Sequence, residues 1–394
     1  MIILSSNIGP EAQAAYQKYL DAGTLEEQIK RLEEFLSIVP KHKATENIVA
    51  QNKSKLAKLK RQLEEKKQKS ISKVVSPFSI KKEGIQIILI SDYHIPGVGK
   101  TSLLNYLTNA AKTKIGSFNA LPEIGILNYE KIRFQIVDMP SIMKDAYKGV
   151  GNGKEIIAQI RSCDLIAICV DLSRDVNEQL DLLFDELSNG DIKINERPPS
   201  IDIEKTGSNN IQILFLTKES KESMELSDKI KQIIRVNGIH NCIVKIYGRI
   251  NLEQIVDCLN HSIVYRKAII IGTKGDLPHT EDNFKILKKK YSKKFKIIAS
   301  SVVRKNFPSD FGELVLNLLE KIRIYTMNSG KVAEKPLILN REAKIRDVAY
   351  KIHRTFVELF DFAVVIRKNA RQKRKKVGLD YNLEDKDIVE IHTI

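Results

Sequence analysis

The chain has 394 residues, 42% of them hydrophobic, which is enough for roughly two to four cores, and it lacks any apolar run of about 18 residues that would cross a membrane. Its formal net charge of +16 points to an anionic partner, RNA most simply, against the plainer alternative of a lysine-rich solvated surface. Cys163, Cys169, Cys242 and Cys258 show no C-x-x-C spacing, which argues against a zinc site or a disulfide framework and for a reduced cytoplasmic setting. The opening MIILSSNIGPEAQ is too short and lacks the basic start of a signal peptide.

In chain order, residues 10 to 68 read as helices. Pro10 stands at a helix start, where its missing N–H costs least. Thr24 caps TLEEQIKRLEEFLSIV, whose Leu25, Ile29, Leu32, Phe35 and Leu36 form one stripe, and a basic helix follows. KSISKVVSPFSIKKEG reads as a linker.

From Ile85 strands and helices alternate: IQIILI, KTSLLNYLTNA, IRFQIVD, GKEIIAQIRSC, DLIAICVDL and, much later, KAIIIGTKGD, KKFKIIASS and FGELVLNLLEKIRIY as a helix. The pattern predicts an open, mainly parallel α/β sheet. The stretch between Asp171 and about Tyr265 reads as a small α+β insert. A terminal unit follows, with KPLILN a strand, KIRDVAYKIHRTFVELF one helix, FAVVIRK a strand, then a basic loop and the strand DIVEIHTI. The expected divisions are a helical segment at 1–70, an α/β domain at 84–172 and 264–331, the insert at 173–263, and the terminal domain at 332–394.

Four motifs carry chemistry. After IQIILI comes SDYHIPGVGKTS, a strand, turn and helix ending in G-K-T. Successive N–H groups from Pro96, Gly97, Val98, Gly99, Lys100, Thr101 and Ser102 can curl around phosphates at the helix start. Lys100 would supply charge to the terminal phosphates, the one catalytic role assigned, and Thr101 a hydroxyl for Mg2+. In FQIVDMPS, Asp138 ends a strand where it can hold Mg2+ through water, and the N–H of Ser141 would face the γ-phosphate. In IIIGTKGDLP, Thr273, Lys274 and Asp276 match N/T-K-x-D, whose carboxylate accepts from N1–H and the N2 amine of guanine, a donor pair adenine lacks. In IIASS, Ser300 and Ser301 would set a backbone N–H near guanine O6. The four appear in the order a GTPase requires, with 138 residues from Asp138 to Asp276, more than an uninterrupted domain needs, and the insert accounts for the excess. GTP or GDP with Mg2+ is the expected ligand.

The long strings around these motifs resemble the developmentally regulated GTP-binding proteins, within the Obg-like translation-factor GTPases. PKHKATENIVAQNKSKLAKLKRQLEE resembles their N-terminal helical segment, and DMPSIMKDAYKGVGNGKEIIAQIRSCDLI their switch region. ELSNGDIKINERPPSIDIEKTG resembles the start of their inserted domain. KPLILNREAKIRDVAYKIHRTFVELF with VGLDYNLEDKDIVEIH resembles their C-terminal TGS domain, a ubiquitin-like β-grasp. The resemblance implies a cytoplasmic P-loop GTPase that works with ribosomes or translating RNA. Its departures are His94 for the first P-loop glycine, Ser141 for the D-x-P-G glycine, Asn119 and Ala120 at the switch I threonines, and Thr273 for the usual Asn. Together they imply weak nucleotide binding or slow hydrolysis. Ile142 stands where small GTPases carry a glutamine and where this family is hydrophobic. Arg161 and Arg174 are arginine-finger candidates by sequence proximity alone.

Two basic clusters remain. Lys53, Lys55, Lys58, Lys60, Arg61, Lys66, Lys67 and Lys69 share a helix with Glu64 and Glu65 and read equally as a solvated face. Arg367, Lys368, Arg371, Lys373, Arg374, Lys375 and Lys376 crowd one loop, read as an RNA contact. No aromatic residue interrupts that string, so structured RNA is favoured over single strands. The expected function is a slow GTPase switch on or near the ribosome, with a protein partner admitted on the terminal domain or helical segment, no membrane, and a monomer favoured. The alternative is a non-hydrolysing ribosome- or RNA-binding scaffold with a degenerate G domain. An ATP-using P-loop enzyme is a third reading, against which Asp276 argues.

Overall fold

The computed structural model describes residues 9–22, 24–40, 45–71, 77–108, 121–207, 210–367 and 373–394. The chain divides into two compact units, Met1–Ser76 and Pro77–Ile394. In the first, α1 (Pro10–Leu20), α2 (Leu25–Ile38) and α3 (Glu46–Ile71) bury Tyr16, Leu32, Phe35 and Val39 together. The Thr24 side chain accepts from Glu27 N, the cap that the sequence signals.

The second unit begins with β1 (Ile85–Ile90), α4 (Lys100–Thr108), β2 (Glu123–Tyr129), β3 (Ile132–Asp138), α5 (Gly153–Ser162), β4 (Leu165–Asp171), α6 (Val176–Asn189) and β5 (Ile192–Ile194). A smaller layer follows: β6 (Ile201–Lys205), β7 (Ile211–Phe215), α7 (Lys218–Lys221), α8 (Ser227–Val236), β8 (Cys242–Ile246) and α9 (Leu252–Leu259). The chain then returns through β9 (Val264–Thr273), α10 (Thr280–Tyr291), β10 (Lys296–Ala299) and α11 (Phe311–Leu318). It ends with β11 (Lys321–Asn328), β12 (Lys331–Val332), β13 (Leu337–Asn340), α12 (Ile345–Ile352), α13 (Thr355–Glu358), β14 (Phe360–Ile366), β15 (Arg374–Val377) and β16 (Ile388–Thr393).

The main sheet runs β10-β9-β4-β1-β3-β2, with β5 beside β9 and every pairing parallel except that of β2 with β3. β1 and β4 are buried along their whole length, as central parallel strands covered on both faces must be, which explains their unbroken apolar runs. The chain thus has an α/β P-loop domain interrupted by a small α+β layer, whose sheet runs β6-β8-β7, and followed by a β-rich terminal domain in the order β12-β11-β16-β14-β15.

Several elements depart from expectation. The insert was expected from residue 173, yet α6 packs Leu180, Leu183 and Leu187 into the main core and β5 pairs with β9. The Asn195 side chain pins this return by bonding both Ala268 N and Ala268 O. KIRIY is a strand and not the end of a helix: α11 stops at Leu318, Glu320 turns with φ +52°, and the alternation of Ile322 and Ile324 with Arg323 suits period two. β11 accordingly pairs with β13 and β16 in the terminal sheet, upstream of the expected division at 331/332. The expected single helix from Lys344 breaks at the extended His353 into α12 and α13. EIGILNY, not expected as a strand, is β2.

Candidate nucleotide site

The loops after β1, β3, β9 and β10 leave the carboxyl ends of neighbouring strands, where open α/β sheets bind ligands. The first runs from Ser91 into α4. Gly97 (φ +69°) and Gly99 (φ +100°) take left-handed backbone that other residues resist. The N–H groups of Gly97, Val98, Gly99, Lys100 and Ser102 have no acceptor among the described residues, and they stand at the start of α4 where anions bind. Pro96 shapes the turn without a donor of its own.

His94 lacks the positive φ that would demand glycine. Its backbone N–H donates to Asp92 Oδ1 at 2.9 Å, and its Nδ1 lies 3.0 Å from the same oxygen. The side chain is exposed, so the residue that breaks the P-loop pattern stands outside the cradle and leaves its backbone unstrained.

Lys100 Nζ donates to Ser91 Oγ at 2.6 Å and to Ser141 Oγ at 3.0 Å. Burial holds its pKa below the ordinary lysine value, with the Asp138 carboxylate opposing that shift. Asp138 is raised by its own burial and lowered in turn by Lys100 and by a hydrogen bond from Thr101. That bond, Thr101 Oγ1 to Asp138 Oδ2, measures 2.5 Å. Two hard oxygen ligands from different loops therefore meet beside the phosphate cradle, which is the donor chemistry Mg2+ takes. The described residues hold no cluster of three or more His, Cys, Asp or Glu that could hold a metal ion. The Ser141 N–H also has no acceptor among the described residues.

On the other side Thr273 Oγ1 lies 2.6 Å from Val98 O and 3.0 Å from Val170 O, its one O–H shared between the two carbonyls, so the hydroxyl joins the phosphate loop to the T-K-x-D strand. Lys274 Nζ reaches Asp171 Oδ2 at 2.6 Å. Burial pushes the Asp171 carboxyl up, but bonds from Lys274 and Ser173 outweigh it and hold the group below the ordinary carboxylate value. Asp276 Oδ1 accepts from Ser301 Oγ at 2.7 Å, and Oδ2 has no partner among the described residues.

The expected role of the two serine N–H groups needs correction. Ser300 N donates to Gly272 O at 2.7 Å and Ser301 N to Asn306 O at 3.0 Å, so both donors intended for guanine O6 are engaged. Ser301 contributes instead through its hydroxyl on Asp276. Arg161 is also excluded as a finger: it donates to Gly190 O at 2.8 Å and binds Ser262 O. Arg174 lies 4.0 Å from Asp171. Asn119 and Ala120 lie outside the described residues.

Sequence reasoning missed Ser91, Asp92 and Asp171. Asp171 carried the signal that marked Asp138, a carboxylate ending a buried strand; Ser91 carried none.

Comparison with known proteins agrees with this geometry. The 50S ribosome-binding GTPase family matches residues 95–205, the C-terminal region of that domain 209–315, and the TGS domain 322–393. An uncharacterized GTP-binding protein of Methanocaldococcus jannaschii is 34% identical over 94% of this chain and 93% of its own length. The chain belongs to the developmentally regulated GTP-binding protein family of P-loop GTPases. A further uncharacterized GTP-binding protein, from Halobacterium salinarum, is 31% identical over 93% of this chain and 98% of its own length. Developmentally-regulated GTP-binding protein 1 of Xenopus laevis is 28% identical over 94% and 99% respectively. As a member of that family, the chain is a GTP-binding protein with a GTPase domain and a terminal TGS domain.

The basic clusters differ from expectation. Lys60 pairs with Glu33 at 2.7 Å, while the side chains of Lys66, Lys67 and Lys69 lie outside the described residues. Arg367 is removed from the RNA set: both ends of its guanidinium hold the buried Asp387, through Nε and Nη2 at 2.8 Å each, and Nη1 holds Glu384. Lys368 and Arg371 fall outside the described residues. Arg374, Lys375 and Lys376 belong to strand β15, not a loop, and with Lys373 are exposed.

Proposed function

We propose that this chain is a slow GTPase switch that acts on or near the ribosome. The observation that carries the nucleotide half is the meeting of Lys100, Thr101 and Asp138 beside a row of unengaged amides. Phosphoryl transfer depends on positioning and charge stabilisation more than on a covalent residue. Lys100 brings positive charge to the terminal phosphates, the amides orient them, and the Ser141 N–H faces the γ-phosphate. Thr101 and Asp138 would hold Mg2+, which supplies charge neutralisation when bound. Asp276 selects guanine through its free oxygen.

Slowness follows from what surrounds the attacking water. Ile142 is fully buried, its N–H donates to Ser91 O and its carbonyl accepts from Tyr93 N, so it orients no water. Of the two arginine-finger candidates, Arg161 is held by the carbonyls of Gly190 and Ser262, and Arg174 stands beside Asp171. The net charge of +16 and the ribosome-binding description of the matched family support a ribosomal RNA partner. The location proposed is the cytoplasm and the state a monomer; among the described residues no helix is long and apolar enough to cross a membrane.

Titration with fluorescent GTP and GDP, with and without Mg2+, followed by single-turnover phosphate release, tests the switch. Micromolar, Mg2+-dependent binding with slow release is expected. Binding without release would leave a non-hydrolysing scaffold, and no binding at high micromolar nucleotide would remove the switch altogether. Co-sedimentation with ribosomes in each nucleotide state tests the partner.

A further inference from the structure

The TGS sheet has two faces. One packs Ala363, Val365, Val377 and Val389 into the core beneath α12. The other carries the alternate residues. At β11 that outer face holds Arg323, buried among carboxylates of the neighbouring elements. Toward β15, the far edge, it is open to solvent.

There Phe362 of β14 stacks on His392 of β16, with ring centroids 4.4 Å apart and planes 16° from parallel. Lys376 of β15 lies over the Phe362 ring, its Nζ 3.5 Å from the centroid. Three strands thus build one column of flat and cationic groups, and His392 at its end is 41% exposed. Beside it Arg374 and Lys376 share this face, while Lys375 turns to the opposite one with Val377 and lies over the Tyr381 ring at 5.1 Å. Among the described ion pairs only Arg374 finds a carboxylate, Glu390 at 3.4 Å, which also stands 3.7 Å from His392 Nε2. Such a run of cations on an edge strand opposes pairing with another strand and calls for an anion.

We propose that this column is a stacking platform for an unpaired RNA base, with the flanking phosphates held by Arg374 and Lys376, the β15 cations on the same face. Lys376 lies on the ring face that a base would occupy and turns to a phosphate as the base enters. Aromatic faces accept any base, and cations along the strand follow the backbone. An acidic protein surface would use the cations and leave the column idle. The basic string contains no aromatic residue, but the fold sets Phe362 and His392 beside it from neighbouring strands, so the aromatic faces missing from the string are present on the sheet. This inference rests on the RNA reading of the TGS domain given above.

The test uses the full chain with a fluorescein-labelled oligouridylate, an RNA hairpin of equal charge, and polyglutamate. Phe362→Leu should weaken oligouridylate binding about tenfold and change hairpin binding by less than about twofold, whereas Arg374→Glu/Lys376→Glu should weaken both. His392→Ala, at an exposed site, should act in the same direction as Phe362→Leu and decides the matter if the latter fails to fold. Equal effects on both RNAs, or none from either aromatic variant, would overturn the platform while leaving RNA binding in place. Wild-type protein that binds neither RNA would overturn the RNA reading as well. Polyglutamate bound as tightly as RNA, and insensitive to Phe362→Leu, would assign the strand to an acidic protein partner instead.

Discussion

Arg323 Nη1 donates to Glu130 Oε2 at 2.5 Å, joining the first strand of the TGS sheet to the turn between β2 and β3. The same guanidinium holds Glu313 of α11 at 2.6 and 3.0 Å and receives Asp385 on Nε at 3.0 Å. Because β3 ends on Asp138, the contact connects the terminal domain to the strand that carries the expected Mg2+ ligand.

Replacing Arg323 with Met should destabilise the unit severely. The arginine is 2% exposed, and its loss leaves three carboxylates facing one another. Breaking a fully buried charge set costs about 3–5 kcal/mol, but these carboxylates are each about a third exposed, so water relieves part of the loss and about 2–3 kcal/mol is expected. Urea unfolding of the full chain measures it, and an unchanged midpoint would refute the structural role.

Much of this site was legible because the chemistry lies in short strings: Lys100 and Thr101 begin a helix, Asp138 ends a buried strand and Asp276 stands in the loop that leaves another, and period and spacing reveal these places. The partners that fix them were not legible. Ser91 touches Lys100 because the loop after β1 folds back on itself, and Ser300 and Ser301 lose their N–H groups to Gly272 and Asn306, which no pattern announces. The same cause hid the role of Arg367, whose basic string suggested an RNA contact while Asp387 lay buried beneath it. Local propensity also failed where tertiary pairing decides, as at KIRIY, where two sheet neighbours make a strand of a sequence that could continue a helix.

Ser141→Gly should tighten GTP binding. The serine hydroxyl accepts from Lys100 Nζ at 3.0 Å and lies 3.0 Å from Ser91 Oγ, so it holds the lysine on protein oxygens. Glycine removes one of these competitors and lets the backbone N–H approach the γ-phosphate. One such bond corresponds to about a three- to tenfold gain. GTP should benefit more than GDP in a fluorescent titration, and equal affinities for wild type and variant would contradict the account.

Burial pushes the thiols of Cys163 and Cys169 up to about 12 from an ordinary 9.0. Below the ordinary value both folded and unfolded chains keep these protons, and the contribution to stability is complete. Between about 9 and 12 the unfolded chain releases protons that the folded chain retains, so stability falls as pH rises. Lys100, depressed by burial, acts with the opposite sign. The thiol part is isolated by comparing wild type with Cys163→Ala/Cys169→Ala. The wild-type melting temperature should fall more steeply above pH 9, and parallel curves would show that the thiols do not contribute.

Asp276→Asn should abolish the preference for guanine. Ser301 Oγ fixes Oδ1 at 2.7 Å and leaves Oδ2 directed by the same bond. A carboxylate accepts from two guanine donors, whereas an amide presents its own N–H groups to one of them. Charge-assisted bonds contribute about 1.5–3 kcal/mol, so GTP affinity should drop about 10- to 100-fold while xanthosine triphosphate, with an oxygen in place of the amine, gains. Ser301→Ala should give a smaller loss in the same direction, because the carboxylate keeps its charge and loses only its orientation. Competition of GTP, ATP and xanthosine triphosphate against a fluorescent guanine nucleotide reads all three. If guanine stays preferred in Asp276→Asn, base recognition belongs to another residue.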